Sequence, residues 1–379
     1  MCDCQFDNRR RSVLGHLTRR TAFRLGLFGF IATARASRPG HALAQLLEGQ
    51  PKQRFAFIDA HVHFQARGQG QPRNAVADYA GAAYVAELTM RATEISRSLV
   101  MPPPFGAGMP HAYDFEDFLP VVRSRRNFSF LGGGGTLNPM IHGAVATRAV
   151  DAALERRFEA RAFQILATGA SGFGEMSCEH LSFTERHPYE AAPPDHPLFM
   201  RLADIAAQKG VPIEIHMEAV PHDMPTPEMF RRRSPNNPPI LKANIERFRV
   251  LLAANREARI VWAHLGWDNT GARTVDLCRS LLAENPNLYM NTKIASEGGW
   301  ANHLVSEAGF ARPEWIDLIR QFPDRIMMAS DTFHTAPSVS MRREPHVEGP
   351  RRWLDQLPPD LASKVAVENA QRVYRLPQT

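Results

Sequence analysis

From residue 54 onward, short apolar runs alternate with longer segments whose apolar residues recur at every third or fourth position. "RFAFIDAHV", "ISRSLVM" (Ile95–Met101) and "NFSFLGGG" (Asn127–Gly134) read as the first three strands. "RAVDAALERRFE" (Arg148–Glu159) is an amphipathic helix, and "AFQILATGASGFGEM" after it is the fourth strand region. "HPLFMRLADIAAQKG" is a helix stopped by Gly210, followed by the strand "VPIEIHME". The helices "NIERFRVLLAANRE", "TVDLCRSLLAENPN" and "RPEWIDLIRQFP" each lead into a strand: "ARIVWAHLG", "LYMNTKI" and "RIMMASDTF". "PPDLASKVAVENAQRVYRL" closes the chain as helix. Strands alternating with helices predict a parallel sheet, and eight such units predict a single-domain (β/α)8 TIM barrel over residues 45–379. The longer Pro-, Gly- and polar-rich insertions, such as "MPPPFGAGMPHAYDFEDF" and "SCEHLSFTERHPYEAAPPD", are expected as loops over the barrel mouth.

Charge divides the chain. The formal net charge is +6, and residues 1–44 carry eight arginines against Asp3 and Asp7. Removing that segment from 45 basic and 39 acidic residues leaves 37 of each. The body is thus neutral, and no nucleic-acid partner is expected. Within the basic segment, Arg19 and Arg20 precede an apolar stretch from Leu25 to Ala34, and Ala42 and Ala44 fit an A-x-A cleavage site. This resembles a twin-arginine signal peptide over residues 1–44, with "RRSVL" at Arg10–Leu14 as a second pair. The apolar stretch falls short of the ~20 residues a membrane helix needs, so no stable membrane insertion is expected. The expected location is the periplasm, with the cytoplasm as the alternative. Cys178 and Cys278 stand in no metal-type spacing and imply no disulfide framework.

The chemistry lies at the strand ends. His61 and His63 are two apart and share a face if alternation holds. The fourth strand ends in "GASGFGEM" with Glu175, the fifth in "IEIHME" with His216, the sixth in "IVWAHLG" with His264, and the eighth in "IMMASDT" with Asp331. Each alone has an ordinary explanation: a satisfied core histidine, a helix cap at Asp331, an arginine partner for Glu175. Together they are six metal-competent groups at the barrel end where catalysis sits. Imidazole and carboxylate suit a borderline divalent ion, Zn²⁺ above all, at one or two equivalents.

"DAHVHF", "EIHME", "VWAHLG" and "ASDT", in that order, resemble the amidohydrolase superfamily, and "VENAQRVYRL" is similar to the closing segment of its amidohydrolase-related (amidohydrolase 2) branch. The resemblance spans about residues 54–377. It implies that His61, His63 and Asp331 hold one metal, while His216 and His264 hold a second or act on substrate. Where some members carry a carboxylated lysine on the fourth strand, "GFGEM" offers Glu175, as in TatD-type deoxyribonucleases.

The implied activity is hydrolysis of a small-molecule ester, amide, lactone or phosphoester by metal-activated water, with Asp331 as proton shuttle and His264 beside the developing oxyanion. Lys293, at the end of the seventh strand, and His111, His180 and His334, in mouth loops, are candidate substrate contacts. The alternatives are a mononuclear, non-hydrolytic decarboxylase of the same branch and a metal-dependent binding protein without turnover. If residues 1–44 direct export, Arg19→Lys combined with Arg20→Lys leaves folded protein in the cytoplasm. Fractionation that still finds a processed periplasmic form points to the "RRSVL" pair or to another route.

Overall fold

All eight predicted strands form. The computed structural model describes residues 54–68, 76–109, 111–294, 301–339 and 346–378, and the signal-peptide expectation lies outside them. The strands are β1 (Phe57–Gln65), β2 (Ile95–Val100), β3 in two pieces (Phe128–Phe130 and Gly132–Gly133), β4 (Phe173–His180), β5 (Pro212–Met217), β6 (Arg259–Leu265), β7 (Leu288–Thr292) and β8 in two pieces (Ile326–Met327 and Thr332–Thr335). The split strands join the circuit. The pieces of β3 pair with β2 and β4, and those of β8 with β7 and β1, always in parallel. The sheet thereby closes as a (β/α)8 barrel.

Two predicted boundaries move. The helix expected over Arg148–Glu159 runs instead from Ala152 to Ala167, because the Asp151 side chain accepts from Leu154 N (2.7 Å) and starts it late. Phe158, Ala162 and Ile165 then bury one helical face, so "AFQILA" is helix and β4 begins only at Phe173. Glu175 is therefore the third residue of its strand rather than the last. The "SCEH" expected in a mouth loop continues β4 and pairs antiparallel with Glu190–Ala191. The Gly210 stop holds: this residue caps Pro197–Lys209 at φ 62°, a conformation that glycine adopts without cost.

Two apolar layers hold the barrel. Outside, Phe57, Val62 and Phe64 of β1 join a core shared with the surrounding helices. Inside, Ile58, Ala60, Leu99, Met101, Leu131, Val261, Met327 and Ala329 fill the lower barrel, sealed by Ala370, Val373 and Tyr374 of the closing helix Asn369–Tyr374. The glycine run that continues past β3 marks a close backbone approach. A Cβ at Gly134 would lie 2.7 Å from the Pro102 carbonyl oxygen and 2.8 Å from that of Glu175, and one at Gly135 would overlap the Tyr113 carbonyl. Gly135→Ala is expected to cost about 2–3 kcal/mol, read as a lower urea midpoint. An unchanged midpoint would mean that the 113 segment yields freely.

Candidate metal centre

Strict alternation would put His61 on the wrong side of β1. Ile58 and Ala60 face the barrel interior, and Phe57 faces the helices. The register supplies the change. Asp59 pairs with Ser98 and Val62 with Val100, so three residues of β1 span two of β2. This extra residue switches the inward face from even to odd positions, which sends His61 and His63 inward. β6 repeats the device between Trp262 and Leu265, opposite Met290 and Thr292. There Trp262 packs outward while His264, two residues on, points to the centre. β4 has the same three-for-two step between Phe173 and Met176, around Glu175. β5 needs none at this level: Ile213, Ile215 and Met217 face out, and Glu214 and His216 face in.

The six predicted ligands converge. His61 Nε2 and His63 Nε2 lie 2.8 Å apart. Glu175 Oε2 is 3.5 Å from the former and 3.4 Å from the latter, and Asp331 Oδ1 is 3.5 and 3.2 Å from them. The other oxygen of Glu175, Oε1, lies 3.0 Å from both His216 Nδ1 and His264 Nε2. Three triads have ligand atoms close enough to share an ion: His61–His63–Glu175, His61–His264–Asp331 and Glu175–His216–His264.

Hydrogen bonding at the far side of each ring tests whether these groups fit a metal. His63 Nδ1 faces the Met101 carbonyl oxygen at 2.8 Å, which can only accept, so Nδ1 carries the proton. His61 Nδ1 is likewise held by the Glu214 carboxylate. Both rings are thus set to offer an Nε2 lone pair to one point that Glu175 and Asp331 also face. Four acceptors around one point require protons or a cation, and two nitrogens with two oxygens suit a borderline dication.

Electrostatics state the same demand. Burial alone would lower the His61 pKa, but the charges of Glu214 and Glu175 raise it well above the ordinary imidazole value. Burial would also lower His216, yet Glu175 and Glu218 lift it to about 9. Burial would raise Glu175, but His61 and the bonds from His216 and His264 pull it well below the carboxylate range. Burial raises Asp331 too, but the Lys293 ammonium above all, with the bond from His63, pulls it well below the carboxylate range. His264 goes the other way: burial takes it down to about 3, so the ring is neutral. Its Nδ1 is buried with no hydrogen-bond partner.

Of the candidate substrate contacts, Lys293 and His180 border the centre, and His334 and His111 do not. Lys293 is buried, its ammonium paired with Asp331 Oδ2 and 4.2 Å from the Trp267 ring centre. His180 is buried at the end of β4 with its ring 4.3 Å from that of His216. His334 pairs in register with Phe64, on the helix-facing side, while Phe333 lies beside His63 with ring centres 4.3 Å apart. His111 is exposed and has no described contact with the cluster.

Sequence reading missed the groups behind the ligands. Glu214 holds His61, and Asp59 binds Ser330 through its backbone N–H (2.9 Å) and hydroxyl (2.6 Å), fixing the residue before Asp331. Both were detectable, since each lies two residues before a ligand histidine on its strand. Asn291 and Tyr374, which both donate to Glu214, carried no such signal.

Four histidines, a glutamate and an aspartate thus gather in the buried centre of a closed (β/α)8 barrel, a set that could hold a metal ion. The chain belongs to the amidohydrolase family, whose model ("Amidohydrolase") matches residues 58–376. No curated protein matches it. Similar solved structures include an apo protein from Agrobacterium tumefaciens, 14% identical over 87% of this chain and 100% of that one (TM-score 0.49). A probable 2-pyrone-4,6-dicarboxylic acid hydrolase from Acinetobacter baumannii, with citric acid bound, is 12% identical over 85% and 100% (TM-score 0.46). A dihydroxybenzoic acid decarboxylase from Polaromonas, with manganese and 2-nitroresorcinol bound, is 16% identical over 86% and 98% (TM-score 0.46).

The charge pattern predicts a pH response. His216, raised from 6.5 to about 9, keeps a proton in the folded state that the unfolded chain releases. Its contribution to stability is complete below pH 6.5 and is lost as pH rises through 9. Glu175 and Asp331, held below their ordinary values, contribute at neutral pH and lose that contribution in acid. Chelator-treated protein should therefore lose melting temperature between pH 6.5 and 9. Metal-loaded protein should lose less, because the cation replaces the proton. A flat calorimetric melting temperature in the chelated protein contradicts this.

Proposed function

We propose that the protein is a metal-dependent hydrolase that binds two divalent ions, one on each side of Glu175, and acts on a small-molecule ester, amide, lactone or phosphoester. The observation that carries this reading is the two-sided use of Glu175. Its Oε2 faces His61 and His63 at 3.5 and 3.4 Å, and its Oε1 faces His216 and His264 at 3.0 Å each. His61, His63 and Asp331 would hold one ion and His216 and His264 the other, with Glu175 giving an oxygen to each. Zn²⁺ suits this donor set best.

When bound, such ions lower the pKa of water toward about 7 and polarise a carbonyl or phosphoryl oxygen. The chain's own residues handle the proton and the orientation. Asp331 turns Oδ1 toward His61 and His63 and is held by Lys293 through Oδ2, which keeps it ionised, and its carboxylate would take the proton from the attacking water. It then returns that proton to the leaving group. Lys293 borders the centre as a buried cation, placed to meet an anionic group of the substrate as well. His264 is neutral, and its Nε2, 3.0 Å from Glu175 Oε1, is the atom that would face the second ion. The five histidine and glutamate candidates are buried and the Asp331 side chain is 10% exposed, which suits a small substrate. Residues 1–44 are inferred to act as a twin-arginine export signal, which would carry the folded, metal-loaded enzyme to the periplasm.

Elemental analysis decides between this reading and a one-metal decarboxylase. Purified protein should hold close to two equivalents of a divalent transition metal, and Glu175→Gln should drop this toward one while cutting turnover by about 10²-fold or more. One equivalent in the parent, unchanged in Glu175→Gln, moves the assignment to the decarboxylase. No metal in protein never exposed to chelator removes both.

A further inference from the structure

β7 supplies no predicted ligand, yet it carries the residue with the most to do behind the centre. Asn291 is fully buried. Its Nδ2 donates to Glu214 Oε1 at 2.5 Å, and its Oδ1 accepts from the His264 backbone N–H at 3.0 Å. The partners fix which way the amide faces: a backbone N–H can only donate, and a carboxylate accepts.

We propose that Asn291 is a positioning residue that ties the two halves of the metal centre together, holding Glu214 against His61 with one end of its amide and the backbone of His264 with the other. Each end meets a group that needs holding. Glu214 is a fully buried carboxylate whose Oε1 serves both His61 Nδ1 and Asn291, while Oε2 takes the Tyr374 hydroxyl at 2.5 Å. Without the Asn291 donor, Oε1 keeps His61 alone, and the ring loses the fixed partner that sets its tautomer and direction. His264 has φ 68°, in the left-handed region that non-glycine residues avoid, inside the three-for-two step of β6. That step takes its N–H away from an ordinary ladder partner, and Asn291 Oδ1 is the acceptor it finds. One short, doubly used side chain therefore sets the distance between His61 and His264, whose ring centres lie 4.8 Å apart.

This role rests on the metal reading above, and the test separates the two. Asn291→Asp is nearly isosteric; it keeps an acceptor for His264 but loses the donor to Glu214. Asn291→Ser is too short for either partner. Zn²⁺ affinity, measured by competition with a chromogenic chelator, should fall about 10–100-fold in Asn291→Asp and further in Asn291→Ser. The visible absorption of the Co²⁺-loaded proteins should change in shape, and chelated Asn291→Asp should melt below the parent, because its new carboxyl meets buried Glu214. If Asn291→Ser does not fold, Asn291→Asp alone carries the test. Zn²⁺ affinity within about twofold of the parent, with an unchanged Co²⁺ spectrum, overturns the positioning role and leaves the metal reading intact. A parent that binds neither ion overturns both.

Discussion

A carboxylate buried at the centre of a barrel must be met by positive charge, and Glu175 sets this requirement for the whole upper barrel. Its two oxygens face four imidazoles from three strands, with Asp331 completing the ring from a fourth. Most partners of these groups answer that local excess of negative charge. The raised pKa values of His61 and His216 and the Lys293–Asp331 pair express the same imbalance. A divalent cation relieves it more completely than scattered protons, since it faces all the lone pairs at once.

A regular barrel could not present these groups. Its inward positions alternate, and on β1 the apolar residues of the lower barrel stand at even numbers while His61 and His63 stand at odd ones. Extra residues in β1, β4 and β6, each next to a ligand, let one strand fill an apolar floor and then line a polar ceiling. His264 and Asp331 adopt left-handed backbone at φ 68° and 54°. Such conformations cost on the order of 1–3 kcal/mol each and persist only where the surroundings fix them. Here Asn291 holds His264, and Asp59 holds the residue preceding Asp331.

The far end of the chain belongs to the site as well. Tyr374 lies in the last helix, and its hydroxyl passes up through the barrel floor to Glu214, which holds His61. The helix that seals the apolar interior thus also orients His61 on the first strand. Folding of the barrel and assembly of the centre are coupled through one buried carboxylate.

The alternation of apolar runs with helical periods determined the (β/α)8 barrel, because each strand of a parallel barrel is buried on both faces and stands out as a short apolar run. The same runs located the six ligand candidates, since a polar group at the end of such a run has few ordinary uses. Boundaries were less legible where propensity was ambiguous. "AFQILA" is apolar enough for a strand, and only the Asp151 cap and the burial of Phe158, Ala162 and Ile165 along one face make it helix. Tertiary structure alone decided which way each ligand points. An extra residue in a strand leaves no mark in composition or periodicity, because it exists only relative to the neighbouring strand. For the same reason His334, three residues past Asp331 of "ASDT", turned to the helix side while Phe333 took the place beside His63. Asn291 and Tyr374 have chemically ordinary sequence surroundings, and only the closing of the barrel brings one between Glu214 and His264 and the other beneath them.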